Sequence, residues 1–221
     1  MPLIAIVGAG PGLGLAVAQK FAREGFAIAL IARNPAKLDA LERQLAADGA
    51  EVRGYVADIR DHAALGAALA TAGADLGPID VLQFSPVPSA DFLKPVLDTT
   101  VEDLQAATEL SILGLATAAR RVLPGMIERR QGTIVLVNGS SAARPNGNVA
   151  GTSTAFAGES AYGSMLHDAA DPHGVTVRQL IIPGAIGGGD PLYDPAALAN
   201  RIWRLHTDSG PFRVIVGETQ P

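Results

Sequence analysis

The sequence predicts an α/β protein, a single domain over residues 1–221 built on a doubly wound parallel sheet of about seven strands. Three observations lead there. Short apolar runs alternate with stretches of helical spacing along the chain. A glycine cluster separates the first apolar run from the first helical stretch. The length of 221 residues, 48% of them hydrophobic, suits one domain with an extensive core and not a disordered chain.

The elements follow in order. "LIAIV" (3–7) is the first strand, and 12–24 the first helix, closed by Gly25. "FAIALIA" (26–32) is the second strand, and the helix over 36–48 has Pro35 near its start and Gly49 past its end. Leu38, Leu41 and Leu45 form its buried stripe. "EVRGYVA" (51–57), a helix over 61–73 and "DVLQF" (80–84) come next. A long helix over 101–129 buries Ile112, Leu115, Ala119, Val122 and Met126. "GTIVLVN" (132–138), a helix over 153–170, "VTVRQLII" (175–182) and the closing strand "RVIVG" complete the set. Strict alternation of β and α units puts helices on both faces of a parallel sheet. The loops 143–155 and 183–191 each follow a strand, so both belong at the carboxyl edge, where such sheets bind ligands.

Composition excludes several classes. A net charge of −5 leaves no basic footprint for nucleic acid. With no cysteine there is no disulfide and no thiolate metal site, and no metal centre is expected. The chain passes from Met1-Pro2 directly into "LIAIVGAG", without a basic leader or cleavage signal, so a cytoplasmic location is expected. No unbroken apolar run approaches the length of a membrane span, so no membrane role is expected.

The glycine turn "IAIVGAGPGLGLAVAQKFA" points to a dinucleotide, because glycine lets the backbone approach a pyrophosphate and the helix start supplies amide donors. The GxGxxG register fails at Leu13, and the spacing that fits is Gly8, Gly12, Gly14. A tight strand-to-helix turn selects glycine for itself as well. In "FAIALIARNPAKLDAL" the second strand ends on Ala32-Arg33-Asn34, where an NAD-type site carries an acid for the ribose 2′-hydroxyl. Arg33 suits a 2′-phosphate, so NADP(H) is expected over NAD(H), a solvated arginine being the alternative. Asp58, in "VADIRD", either accepts from the adenine amino group or caps the next helix.

Taken together these stretches resemble the short-chain dehydrogenase/reductase superfamily, whose fold is of the Rossmann type. Its TGxxxGxG motif is matched by Val7-Gly8-Ala9-Gly10-Pro11-Gly12-Leu13-Gly14, with the threonine lost. "IARNPAKLDAL", "GPIDVL", "RRVLPGMIERRQGTIVLV" and "VRQLIIPGAI" resemble its later units. The resemblance implies an oxidoreductase with a small-molecule carbonyl or alcohol substrate, assembled as a homodimer or homotetramer. Tyr162, Met165 and Leu166 are candidates for that contact. The cofactor residues it implies are Gly8, Gly12, Leu13, Gly14, Arg33, Asn34, Asp58, Ser85, Pro183, Gly184 and Ile186.

The family's catalytic set does not carry over. Its NNAG motif falls on Phe84-Ser85-Pro86-Val87, and its helix-four asparagine on Ser111. The catalytic serine falls on Ser140, or on Ser141 with a one-residue slip. The tyrosine and lysine of YxxxK, one turn apart on one helix face, fall on Phe156 and Ser160. A phenol needs a neighbouring cation to act near neutral pH, and the chain has no lysine after Lys94. Tyr162 lies about 200° round the helix from Ser160. His167 shares the face two turns down, and Glu159 and Arg144 are further polar candidates. Three readings stay open: an NADP-dependent oxidoreductase in which substrate, water or another residue replaces the tyrosine, an NADP(H)-binding homologue without turnover, or a different reaction without a nucleotide, for which Ser140-Ser141 is the one hint.

Overall fold

The computed structural model describes residues 1–218. Seven parallel strands form one sheet in the order β3-β2-β1-β4-β5-β6-β7. They are β1 Leu3–Val7, β2 Ala27–Ala32, β3 Val52–Val56, β4 Ile79–Phe84, β5 Gly132–Gly139, β6 Val175–Ile182 and β7 Arg213–Ile215. The helices are α1 Leu13–Arg23, α2 Pro35–Ala47, α3 His62–Leu76, α4 Val101–Thr108, α5 Gly114–Arg129, α6 Ala150–Ala170 and α7 Pro195–Thr207. Because side chains alternate along a strand, β1 feeds two cores. Leu3, Ala5 and Val7 enter the core shared with α3 and α5. Ile4 and Ile6 enter the one shared with α1, α2 and α7. Strand order reverses between β1 and β4, and the crevice outside their carboxyl ends is the expected binding position.

The sequence reading holds for every strand to within two residues. Gly25 and Gly49 close α1 and α2 with positive φ, as helix-ending glycines do. Pro35 occupies the first turn of α2. Three corrections matter for the site. Helix α6 begins at Ala150, so the loop over 143–155 ends earlier than expected, and Thr152 and Ser153 are buried on its first turn. The cap of α3 is Asp61, whose side chain accepts from Ala64 N at 2.9 Å, and not Asp58. The 101–129 helix is interrupted by a π turn over Glu109–Leu113. The extra residue there shifts the 3.6-residue stripe, so Ile112 packs on Gly158 of α6 and Ser111 becomes buried.

Val101–Arg129 is long enough to cross a membrane and an 18-residue window within it reaches a mean hydropathy of 1.3, without an unbroken apolar run of that length. In this fold Leu115, Ala118, Ala119, Val122 and Met126 face the sheet.

Candidate functional site

At the reversal of strand order the chain leaves β1 in a conformation that only glycine adopts easily. Gly8 has φ of +92°, and a Cβ there would lie 2.7 Å from the carbonyl oxygen of Ser85, at the end of β4. Gly14 packs on Ala9, where a Cβ would stand 3.2 Å from Cα. Gly10 and Gly12 differ, since a Cβ on either would meet nothing within 4 Å. Two glycines thus set the turn and two leave its outer face open. Gly12 caps α1 without a side chain, so no side chain covers the first amides of the helix, although Leu15 N donates to the Gly10 carbonyl at 2.9 Å. The Leu13 side chain is committed to the core, which leaves only its backbone for a ligand.

Above this turn lies a cavity of about 380 Å³, bounded by Gly8, Gly10, Ala32, Arg33, Asp58 and Phe92. Three cations, Arg33, Lys37 and Arg60, stand at its β2–β3 side. Asn34 lines it too, but its Oδ1 accepts from Lys37 N at 3.0 Å as the cap of α2. Asp58 accepts from Arg60 N at 3.0 Å and pairs with its guanidinium at 3.5 Å. Partial burial opposes ionisation of Asp58, but the Arg60 contacts, with Arg33 beyond, outweigh it and hold the carboxyl below its usual range. Lys37 and Arg60 escaped the sequence reading, although both lie in quoted stretches. They reach the site because α2 and the β3–α3 turn converge on Arg33. A second hollow of about 440 Å³ lies between α3 and α5, beside Pro78, away from the strand ends.

The other expected cofactor residues lie outside the cavity, along the strand ends. Ser85 Oγ accepts from Gln83 Nε2 at 2.8 Å. Pro183, Gly184 and Ile186 follow β6, with the Tyr193 ring against Gly184.

Beneath this edge, α6 lies on β5 and β6. Ser140 is exposed just past β5, whereas Ser141 is buried. Phe156 is 5% exposed and packs with Ala142 and Ile181. Ser160 donates to Gln179 Oε1 at 2.8 Å and accepts from Arg213 Nη2 at 2.6 Å. Arg213 Nε donates to the same Gln179 oxygen at 2.9 Å. Gln179 Nε2 then donates to Asn138 Oδ1 at 2.8 Å, and Asn138 Nδ2 to Glu159 Oε1 at 3.0 Å. Glu159 is fully buried and its Oε2 has no hydrogen-bond partner among the described residues. Burial pushes its carboxyl up to about 8, against the opposing pull of Asn138 and Ser111. At neutral pH it is therefore mostly protonated.

The remaining candidates resolve into structure. His167 bonds the Val177 carbonyl at 2.8 Å, and Arg144 pairs with Glu218 at the surface. Tyr162 and Leu166 pack on their own chain's core, whereas Met165 is 63% exposed. Asn138, Gln179 and Arg213 were not anticipated. The available signal was a polar residue inside each of two buried strands, which in such a position needs a partner.

The short chain dehydrogenase family profile matches residues 2–189, most of the chain. This chain belongs to the short-chain dehydrogenase family. An NADP-dependent 3-hydroxy acid dehydrogenase from Salmonella typhi is 32% identical over 84% of this short-chain dehydrogenase and 73% of the relative. A 2,3-dihydro-2,3-dihydroxybenzoate dehydrogenase from Bacillus subtilis is 35% identical, over 66% of this chain and only 55% of the relative's length. The crystal structure of a short-chain dehydrogenase from Rhodopseudomonas palustris superposes with a TM-score of 0.87, at 25% identity and 99% coverage of both chains. Family membership gives the fold and the dinucleotide-binding frame, while the side chains described above decide what the site can do.

Proposed function

We propose that this short-chain dehydrogenase is an NADP(H)-dependent oxidoreductase acting on a small carbonyl or alcohol. The observation that carries the cofactor choice is the open glycine turn facing Arg33, Lys37 and Arg60. A guanidinium fork pairs with a phosphate monoester in bidentate fashion, and no carboxylate stands at Ala32-Arg33 to repel it. The Salmonella relative, NADP-dependent by name, supports the same choice. When bound, NADP(H) supplies or accepts the hydride. The chain's part is to bind the adenosine half with Gly8, Gly12, Leu13, Gly14, Arg33, Asn34 and Asp58. Ser85, Pro183, Gly184 and Ile186 line the nicotinamide half, and Ser140 offers a hydroxyl to the substrate oxygen.

In this reading Phe156 and Ser160 hold the tyrosine and lysine positions and Ser111 the asparagine position. Phe156 has no proton to give, so the proton of a carbonyl reduction comes from substrate, water or another residue, and turnover is slow. The absence of a general acid costs about 10²–10⁴ in rate. The alternative, an NADP(H)-binding homologue without turnover, is favoured by the apolar seat of Phe156 between Ala142 and Ile181. The reading also includes one domain over 1–221, a cytoplasmic location and a homodimer or homotetramer, with exposed Val101, Leu113 and Met165 as contact candidates.

The test titrates NADPH and NADH by calorimetry on wild type and Arg33→Ala. The variant is expected to lose about tenfold or more in NADPH affinity and little for NADH, the cost of a charge-assisted contact. Unchanged NADPH affinity would rule out this role for Arg33.

A further inference from the structure

In the cavity above the glycine turn, the two oxygens of Asp58 are held unequally. Oδ1 accepts from the Arg60 backbone amide at 3.0 Å, a local turn that fixes the carboxylate just past β3. Oδ2 has one partner among the described residues, the Arg60 guanidinium at 3.5 Å. That contact is long for a charge-assisted bond, and the two side chains are 43% and 37% exposed, so water and salt screen it. Breaking it costs little, and the backbone bond keeps the carboxylate in place when the guanidinium leaves. Arg33 and Lys37 line the same cavity and have no carboxylate partner among the described salt bridges. Ile59 and Leu110 add apolar walls, which suit a purine ring beside Asp58.

Resting on the NADP(H) reading above, we propose that Arg60 couples the two ends of the adenosine site. Without a 2′-phosphate it occupies the Asp58 oxygen that the adenine amino group needs. A bound 2′-phosphate draws it away and frees that oxygen. The phosphate carries about two negative charges and three acceptor oxygens, so it attracts a guanidinium more strongly than one carboxylate does. The adenine amino group then donates to Oδ2. NADH leaves Arg60 on Asp58 and so loses the purine contact as well as the phosphate contact. Discrimination between the two dinucleotides is thereby shared between Arg33 and the Arg60–Asp58 pair. A pair that only finished the β3–α3 turn would need the backbone bond alone, and the cap of α3 is Asp61.

The test measures NADP, NAD and their hypoxanthine counterparts, in which an oxygen replaces the purine amino group. Displacement of NADPH fluorescence reads all four on the full chain, weak ligands included. With the 2′-phosphate present, adenine should be preferred over hypoxanthine about tenfold, the loss of one hydrogen bond to a charged group. Without it, the preference should stay within about twofold. Equal preference in the two pairs, whether large or absent, overturns the proposal, and so does a larger preference in the NAD pair. These four titrations need no variant. Arg60→Ala leaves Asp58 free at all times, so the NAD pair should gain the same preference of about tenfold. A variant that keeps the wild-type pattern overturns the proposal too. Wild-type binding of NADP no tighter than NAD defeats the NADP(H) reading, and this proposal with it. Failure of the purine pattern alone leaves that reading standing.

Discussion

At Glu159 one buried carboxyl carries a measurable consequence. Burial raises its pKa to about 8, far above that of a carboxyl in the unfolded chain, so the folded state binds the proton more tightly. Its contribution to stability is full below the unfolded pKa and is lost as pH rises towards 8, at up to about 1.4 kcal/mol per pH unit for one proton. Glu159→Gln keeps an oxygen for Asn138 and removes the titration. Thermal melts should show wild type losing stability relative to the variant between about pH 5 and about pH 8. Parallel curves would contradict the assignment. The glycines separate just as sharply. Gly8→Ala forces a Cβ into the Ser85 carbonyl at positive φ and should cost about 2–3 kcal/mol, a Tm decrease of roughly 5–10 °C. Gly10→Ala, facing open space, should leave Tm nearly unchanged and weaken nucleotide binding instead.

At the scale of elements, α6 and the strands beneath it decide whether there is chemistry. Phe156 sits level with Ile181, and Ser160 one turn deeper, level with Gln179. The Arg213 guanidinium bonds Ser160 one turn below position 156, so a phenol placed there would have a cation beneath it. Phe156→Tyr is therefore expected to raise NADPH-dependent carbonyl reduction by about 10²-fold with a pH dependence, and Phe156→Tyr with Arg213→Ala to lose most of that gain. No gain in the single variant, with NADPH still bound, would show that position 156 does not face the substrate. The helix and its two face residues were legible in the sequence, because spacing of four residues marks one face whatever the tertiary structure. Its start was not, since "NVAGTSTA" carries the glycine and threonine of a loop while burial makes it helix. The π turn was equally hidden: "ELSIL" differs from helix only in where its hydrogen bonds close.

Across the whole molecule, the doubly wound parallel sheet could be anticipated from strict alternation of strands and helices, because a parallel sheet with short crossovers has few ways to wind. The glycine turn and Arg33 could be read locally, since their partners lie within one βα unit. The gathering of Lys37 and Arg60 beside Arg33, and the reach of Arg213 to Ser160, could not, because neither neighbourhood exists until the sheet is formed. These cations matter in a chain whose formal net charge is −5, where a local positive cluster is what draws an anionic ligand to one edge. The most direct test of the account is a calorimetric titration of the wild-type chain with NADPH and with NADH under identical salt. NADPH binding at least about tenfold tighter is the predicted result, the worth of one phosphate–guanidinium contact. Equal affinities, or no binding of either nucleotide, would contradict it.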